Sequence, residues 1–147
     1  MFRKTWVFTL AVLASSLLLT SACSTSPVVA SAAKKIPASR IYKTEFIDRS
    51  DTNTPASITF IRDSGLLGVA CSFEVTVNGQ KAFAIAAGET ITLSMTAGEY
   101  ILLMATRLGN PCPNQRQTKE VLLRAGESRQ YRISTASNYV TSLTREK

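Results

Sequence analysis

The chain has 147 residues, with 17 Lys and Arg against 10 Asp and Glu and therefore a formal charge of +7. This length suits one domain with a terminal segment, and 45% apolar residues with only 18% charged ones are typical of a packed core. The chain contains no His, the commonest general base and metal ligand. These counts disfavour a hydrolase or a zinc enzyme, and they favour a small binding or structural domain without cofactor or metal.

Residues 1–22 have the organisation of a signal peptide. Arg3 and Lys4 give a positive start, and the apolar run that follows, 6–19, has 14 residues. A membrane-spanning helix needs about 20 such residues, so the run has the length of a signal-peptide core instead. Small residues come next, and they predict cleavage after Ala22.

The five residues 19–23, Leu-Thr-Ser-Ala-Cys, resemble the lipobox of bacterial lipoproteins. The resemblance implies a diacylglyceryl group on the Cys23 sulfur, cleavage before Cys23 and acylation of the new amine, and several acyl chains anchor a protein stably. Ser24 stands where Asp would retain a lipoprotein at the inner membrane, which implies the outer membrane and a domain facing the periplasm. The alternative is an ordinary signal peptide cleaved after Ala22, with Cys23 incidental.

Two cysteines remain once Cys23 is assigned to lipid. Cys71 and Cys112 lie 41 positions apart, without the spacing of a redox or zinc motif. Because disulfides persist in an oxidising compartment, we expect these two to be bonded, and closing such a loop stabilises a fold by about 3–4 kcal/mol. Two buried free thiols are the alternative.

The segment 23–54 is interpreted as the lipidated Cys followed by a tether, and 55–147 as the folded domain. Small polar residues and Pro predict flexibility over 24–40, with a reach of about 20–25 Å, whereas 41–47 has apolar residues for a short strand or turn against the domain. The tether contains a loose basic cluster. Its charges either are solvated parts of the linker or contact anionic lipid headgroups. The cluster consists of Lys34, Lys35, Arg40 and Lys43.

From residue 56 the apolar residues alternate with polar ones, which is typical of strands. Strands are predicted over 57–62, 72–77, 80–86, 90–95, 100–106, 118–123 and 130–134, and 139–143 has the composition for one more. Asn78-Gly79 predicts a type I′ hairpin turn. The strand over 100–106, apolar on both faces, predicts a central strand covered on both sides. Short strands at this spacing predict an all-β fold, a small antiparallel β-sandwich of immunoglobulin-like style.

The tripeptide Ala-Gly-Glu occurs three times, each time just before a predicted strand. The copies are 87–89, 97–99 and 125–127. We interpret them as one type of turn used three times, in which Gly provides the backbone conformation and Glu is exposed at the start of the strand. They are not interpreted as a site.

Four segments resemble the domain of unknown function 2846 family, which is common in Gram-negative lipoproteins. They are the strand and glycine loop 58–68, the Asn-Gly hairpin 75–81, the turn 96–100 and the closing strand 125–133. The resemblance implies a sandwich similar in style to PEGA domains, and it implies no activity, because the family has no assigned catalytic residues. The cysteine pair and the loop 108–117 depart from the family pattern.

Basic residues accumulate late in the chain. Without Arg3 and Lys4, fifteen basic residues remain against ten acidic ones, about +5. Arg binds phosphates and carboxylates through its planar fork, so the predicted ligands are lipid phosphate, peptidoglycan or an acidic partner, and the alternative is a solvated face. Nucleic acid is excluded by the compartment. The candidate binding residues are Arg107, Arg116, Lys119, Arg124, Arg129 and Arg132.

No pattern of catalytic residues is present in the sequence: there is no nucleophile with a base, no paired carboxylates and no phosphate loop. We therefore expect that the protein is not an enzyme. One hypothesis is a non-enzymatic, outer-membrane-anchored lipoprotein that docks an envelope partner protein through a sheet edge or an Arg face. The other is a binder of peptidoglycan or lipopolysaccharide through the Arg-rich face.

Overall fold

The structure, a computed structural model, describes residues 25–47, 55–109 and 111–146. The predicted signal peptide with Ala22 and Cys23 lies outside these residues. In the described part of the chain, no helix is long and apolar enough to cross a membrane. Nine strands follow one another: β1 (Lys34–Lys35), β2 (Ala56–Arg62), β3 (Ser72–Val77), β4 (Gln80–Ala86), β5 (Glu89–Met95), β6 (Gly98–Thr106), β7 (Arg116–Leu123), β8 (Ser128–Thr135) and β9 (Thr141–Arg145).

The strands form two packed sheets, which confirms the predicted all-β sandwich. One sheet has the order β1-β5-β2-β8-β9 and the other the order β4-β3-β6-β7. The first sheet is mixed rather than purely antiparallel, because β2 runs parallel to β8 and β1 runs parallel to β5. A parallel pair needs a long connection, and between β2 and β8 the chain builds β5 of the first sheet and all four strands of the second sheet.

The core lies between the sheets and follows from the alternation of the strands. In β3, every second residue is buried, beginning with Phe73. Aromatic rings join the layers: Phe60 meets Phe83 edge-on, with centroids 5.1 Å apart, and stacks on Tyr131 at 5.9 Å. Burial of such rings contributes much of the stability of a domain this small.

The predicted Asn-Gly hairpin is present between β3 and β4. Asn78 and Gly79 have φ values of +48° and +78°, as a type I′ turn requires. The Asn78 side chain also accepts a hydrogen bond from the Ile101 N–H at 2.8 Å, which links the turn to β6.

The prediction for β6 is correct about the central position of the strand in its sheet and wrong about the burial of both its faces. The strand lies between β3 and β7 in its sheet, and Leu102 and Met104 are buried in the core. The opposite face is not covered, since Ile101 is 52% exposed. An apolar run does not distinguish a strand covered on both faces from one with apolar residues on an open face.

The segment 25–47, which we call the strap, contacts the sandwich instead of forming the flexible tether expected over 24–40. Ser26 makes a bridge with Ser64, and β1 pairs with β5. Ile36, just after β1, is buried. Two short 3₁₀ turns follow, Ala38–Arg40 and Thr44–Phe46, and Phe46 in the second of them is buried. Isolated apolar residues in a polar stretch are a weak signal, and average composition does not detect them.

Candidate functional site

Four connections meet at one end of the sandwich, because the strands they join end or begin there. They are 63–71 between β2 and β3, 87–88 between β4 and β5, the connection from β6 to β7, and 136–140 between β8 and β9. We call this set the loop end. The turns 78–79, 96–97 and 124–127 lie at the opposite end.

Covalent and hydrogen bonds join three of these loops to one another. Cys71 and Cys112 form a disulfide, with Cα atoms 5.7 Å apart, which confirms the predicted pairing. The Gln115 side chain donates to the Tyr139 carbonyl at 2.5 Å and accepts from the Thr141 N–H at 2.6 Å. The loop end is therefore one connected surface and not a set of independent loops.

A buried arginine organises the loop 63–71. The Arg62 guanidinium donates to the carbonyls of Cys71, Gly68 and Ile85 at 2.5, 2.6 and 3.1 Å, and it lies 4.6 Å from the centre of the Phe73 ring. Burial lowers the pKa of Arg62 to about 10, although the negative charge of Glu89 acts in the opposite direction. Arg62 was not among the predicted site residues, and its signal in the sequence is a single Arg that ends an apolar strand.

Two of the six predicted binding residues have structural roles in β8. Arg129 pairs with Glu127 at 2.6 Å, and Arg132 pairs with both Asp63 and Glu146. Hydrogen bonds to these carboxylates raise the pKa of each arginine. A ligand could bind either guanidinium only if an internal ion pair were broken.

Arg107 and Arg116 lie together on the second sheet, away from the β8 pair. They line a groove of about 530 Å³ with Tyr42, Glu74 and Lys81, and Lys81 pairs with Glu74 at 3.1 Å. Neither Arg107 nor Arg116 has an ion-pair partner among the described residues. The other two candidates, Lys119 and Arg124, are exposed on β7 and in the turn after it. The six basic residues therefore do not form the single Arg-rich face that the sequence suggested.

Three of the four sheet edges in the described part of the chain are covered over part of their length. The N–H groups of Tyr42 and Lys43 donate to the Ala82 carbonyl at the edge of β4, and β5 is flanked by β1, which has two residues. At β9, Gln117 donates to the Thr141 carbonyl at 2.7 Å and accepts from the Leu143 N–H at 2.8 Å. With Gln115, it supplies β9 with the hydrogen bonds that a neighbouring strand would make.

The edge of β7 is open. Thr106 N–H donates to the Gln115 carbonyl at 2.9 Å, and Ala105 is paired with Arg116. Since backbone groups of an antiparallel strand alternate in direction, the residues that point away from β6 are even-numbered. The N–H and C=O groups of Arg116, Thr118, Glu120 and Leu122 face outward and have no strand partner among residues 25–47, 55–109 and 111–146. An open edge of this length is a template for another strand.

Within the described ranges, no group of three His, Cys, Asp or Glu residues has the arrangement of a metal site. No protein-family model matches the chain, and no curated protein sequence matches it. The resemblance to the domain of unknown function 2846 family stays a prediction.

Proposed function

We propose that this protein is a non-enzymatic, lipid-anchored protein of the outer membrane that faces the periplasm and docks an envelope partner protein. The open edge of β7 supports the proposal most directly, because among the described residues no other strand pairs with this edge at any point along its length. The lipobox-like residues 19–23 support the anchor. Covered edges elsewhere direct pairing to β7, since proteins usually protect edges that have no partner.

Docking by strand addition uses backbone hydrogen bonds for affinity and side chains for register. On β7, Arg116 and Glu120 project on the same face, two positions on either side of Thr118. A partner strand with the opposite order of charges places each charge across from its complement, and such cross-strand pairs are favourable. The edge therefore selects a partner by charge order as well as by hydrogen bonding.

Substitution Thr118→Pro tests the docking edge. It removes one outward N–H and leaves the ladder to β6 intact, because Pro is tolerated at an edge position whose N–H is not used. We expect a photo-crosslinker at Leu122 to capture a defined partner in intact cells, and Thr118→Pro to abolish the product. Thr118→Val is the matched control, since it keeps the N–H. Equal crosslinking of wild-type and Thr118→Pro protein contradicts docking by this edge.

The anchor has a separate test. Growth with labelled palmitate is expected to label the wild-type protein and not the Cys23→Ser variant. A wild-type protein without label contradicts lipidation and favours an ordinary signal peptide.

One observation favours a second candidate function, the binding of an anionic envelope polymer. Arg107 and Arg116 line one groove without carboxylate partners among the described residues, and paired arginines suit phosphate or carboxylate groups. Retention on peptidoglycan or lipopolysaccharide is then expected to fall with salt and to be lost in Arg107→Ala with Arg116→Ala. Arg124→Ala is the control, because it removes an exposed charge at the opposite end. Retention unchanged by the double substitution rejects this candidate.

A further inference from the structure

Exposed large apolar side chains are concentrated at the loop end. Leu108 is 97% exposed and Leu66 is 84% exposed, while Val69, Tyr139 and Val140 are each more than half exposed. All five belong to the three loops that the disulfide and Gln115 connect. Exposed apolar side chains grouped on one connected surface mark an interaction site more often than scattered ones do.

The opposite end differs in character. Among the described residues, its three turns contain no exposed large apolar side chain. Two exposed apolar residues closest to that end, Ile101 and Leu122, lie on the outer face of the second sheet instead. Exposed large apolar side chains in the connections between strands therefore distinguish the loop end from the opposite end.

The chain enters the described fold at the loop end. Thr25 N–H donates to the Thr135 carbonyl at 3.5 Å, and Ser26 N–H donates to the Ser64 carbonyl at 2.6 Å. Thr135 is the last residue of β8, and Ser64 is the second residue of the loop after β2. Cys23 precedes Thr25 by two residues, which span at most about 7 Å. An acyl chain on Cys23 therefore starts at the loop end, within two residues of the Thr25 attachment.

Charge at the loop end suits an anionic surface. Among the described residues, Asp63 and Glu89 at this end are buried and pair with Arg132 and Arg40, and Glu74 in the groove beside Arg107 pairs with Lys81. Arg107 is exposed there, beside Arg116 of the groove. Cations next to exposed apolar groups are the combination found on protein surfaces that bind the lipid interface.

Tyr139 adds a second observation at the same place. It is not glycine, yet it has φ +62°, a left-handed conformation that favours Gly or Asn. Backbone strain of this kind is concentrated at functional positions, and Tyr is enriched where proteins meet the headgroup region of a bilayer.

We infer that the loop end is seated on the lipid leaflet, with Leu66, Leu108 and Tyr139 in its interfacial layer and Arg107 among the headgroup phosphates. The inference rests on the proposed lipidation of Cys23 and deepens it, because the lipid becomes one part of a larger contact with the membrane. It also leaves the edge of β7 free beside the membrane contact, since β7 runs from the loop end to the opposite end.

Tryptophan fluorescence tests this contact, because the sequence has a single Trp, Trp6 in the predicted signal peptide. The mature chain with Leu66→Trp is reconstituted in vesicles of phosphatidylethanolamine and phosphatidylglycerol, with and without bromine-labelled acyl chains. We expect a shift of its emission to shorter wavelength and strong quenching by the bromine. Leu122→Trp is the matched control, an exposed position on the sheet, and its emission stays that of a tryptophan in water.

Separate readouts distinguish the anchor from the contact. Intact mass reports the lipid on Cys23, and a mass without acyl chains contradicts the anchor alone. A lipidated Leu66→Trp protein with the emission and quenching of Leu122→Trp overturns the inference. If the chain has no lipid, the same two variants are mixed with excess vesicles: quenching confined to Leu66→Trp supports the contact, and its absence overturns it. A blue shift without quenching by bromine also overturns it, because it assigns the loop end to contacts with protein.

Discussion

The three Ala-Gly-Glu segments share one sequence and end in three different environments. Glu89 is buried, pairs with Arg40 and accepts the Ala86 N–H at 2.7 Å. Glu99 is exposed, as the sequence predicted for all three, and Glu127 binds Arg129 and the Arg124 N–H. Gly88 and Gly126 have the same turn conformation, with φ of +75° and +73°, but Gly98 has φ +157° and already belongs to β6. The prediction of one turn used three times is therefore wrong for the copy at 97–99, and burial of each Glu depends on which cation the rest of the fold brings near it.

Of the single substitutions proposed here for stability, replacement of Arg62 is expected to lower the free energy of unfolding most. Arg62→Leu leaves the carbonyls of Gly68, Cys71 and Ile85 without this donor, and we expect a loss of about 3 kcal/mol in the free energy of unfolding. Urea unfolding measures the change. Arg107→Leu is the control, an exposed Arg for which a change within about 0.5 kcal/mol is expected. Equal unfolding midpoints for Arg62→Leu and wild type contradict the role assigned to Arg62.

Tyr139 predicts a substitution that stabilises the fold. Tyr139→Gly relieves the positive φ, and we expect a gain of about 1 kcal/mol in the free energy of unfolding. Tyr139→Ala removes the ring but keeps the strained backbone, so no gain is expected from it. Thermal unfolding of the two variants separates backbone strain from loss of the ring, and a gain common to both contradicts the argument.

At the scale of the element, the positions of the strands were predictable from the sequence, but the pairing of strands within each sheet was not. The alternation in β3 and the Asn-Gly turn are local patterns, so their prediction needs no knowledge of the rest of the chain. The pairing of β1 with β5 and the parallel pairing of β2 with β8 join residues far apart in sequence. The strap was misread for the same reason, because Ile36 is apolar among polar neighbours and only its contacts explain its burial.

The contact of Gln117 with β9 gives a prediction for one edge. Gln117→Leu keeps a similar volume and removes both hydrogen bonds to β9, so we expect faster hydrogen exchange at the Leu143 N–H and a loss of about 1–2 kcal/mol in the free energy of unfolding. Lys119→Leu is the control, two residues along the same strand. Unchanged exchange at Leu143 in the Gln117→Leu variant contradicts the role of the amide at this edge.

At the scale of the whole molecule, the sandwich was predictable, whereas the distribution of charge over it was not. Strand spacing alone indicated two packed sheets. The six late basic residues formed one group only in sequence, because β7 and β8 belong to different sheets. Their separation places Arg107 at the loop end and assigns Arg132 to an internal ion pair.

The ion pairs predict how stability depends on acid. Hydrogen bonds from Arg129 and from the Arg124 N–H lower the pKa of Glu127 to about 2 from its usual 4.5, and Arg132 lowers the pKa of Glu146. A carboxyl with a lowered folded-state pKa stabilises the fold fully above pH 4.5, and this contribution is lost as the pH falls toward 2. The melting temperature is therefore expected to fall over this range.

Substitution of one carboxylate separates this effect from other acid effects. Glu127→Gln is expected to show a smaller fall in melting temperature between pH 4.5 and 2 than wild type. Glu99→Gln is the control, because Glu99 has no cation partner among the described residues, and its fall should equal that of wild type. A Glu127→Gln variant with the wild-type fall contradicts the assignment.

Under the proposed lipidation of Cys23, the attachment of the strap at Thr25 determines where the domain can meet other molecules. A flexible tether would let the domain sample a hemisphere above the bilayer, but a chain fixed two residues after a lipidated Cys23 samples only the plane of the leaflet. Its encounters are then governed by lateral diffusion and by the number of molecules per unit area. A partner that never approaches the bilayer surface is out of reach, whatever its concentration in the bulk of the compartment.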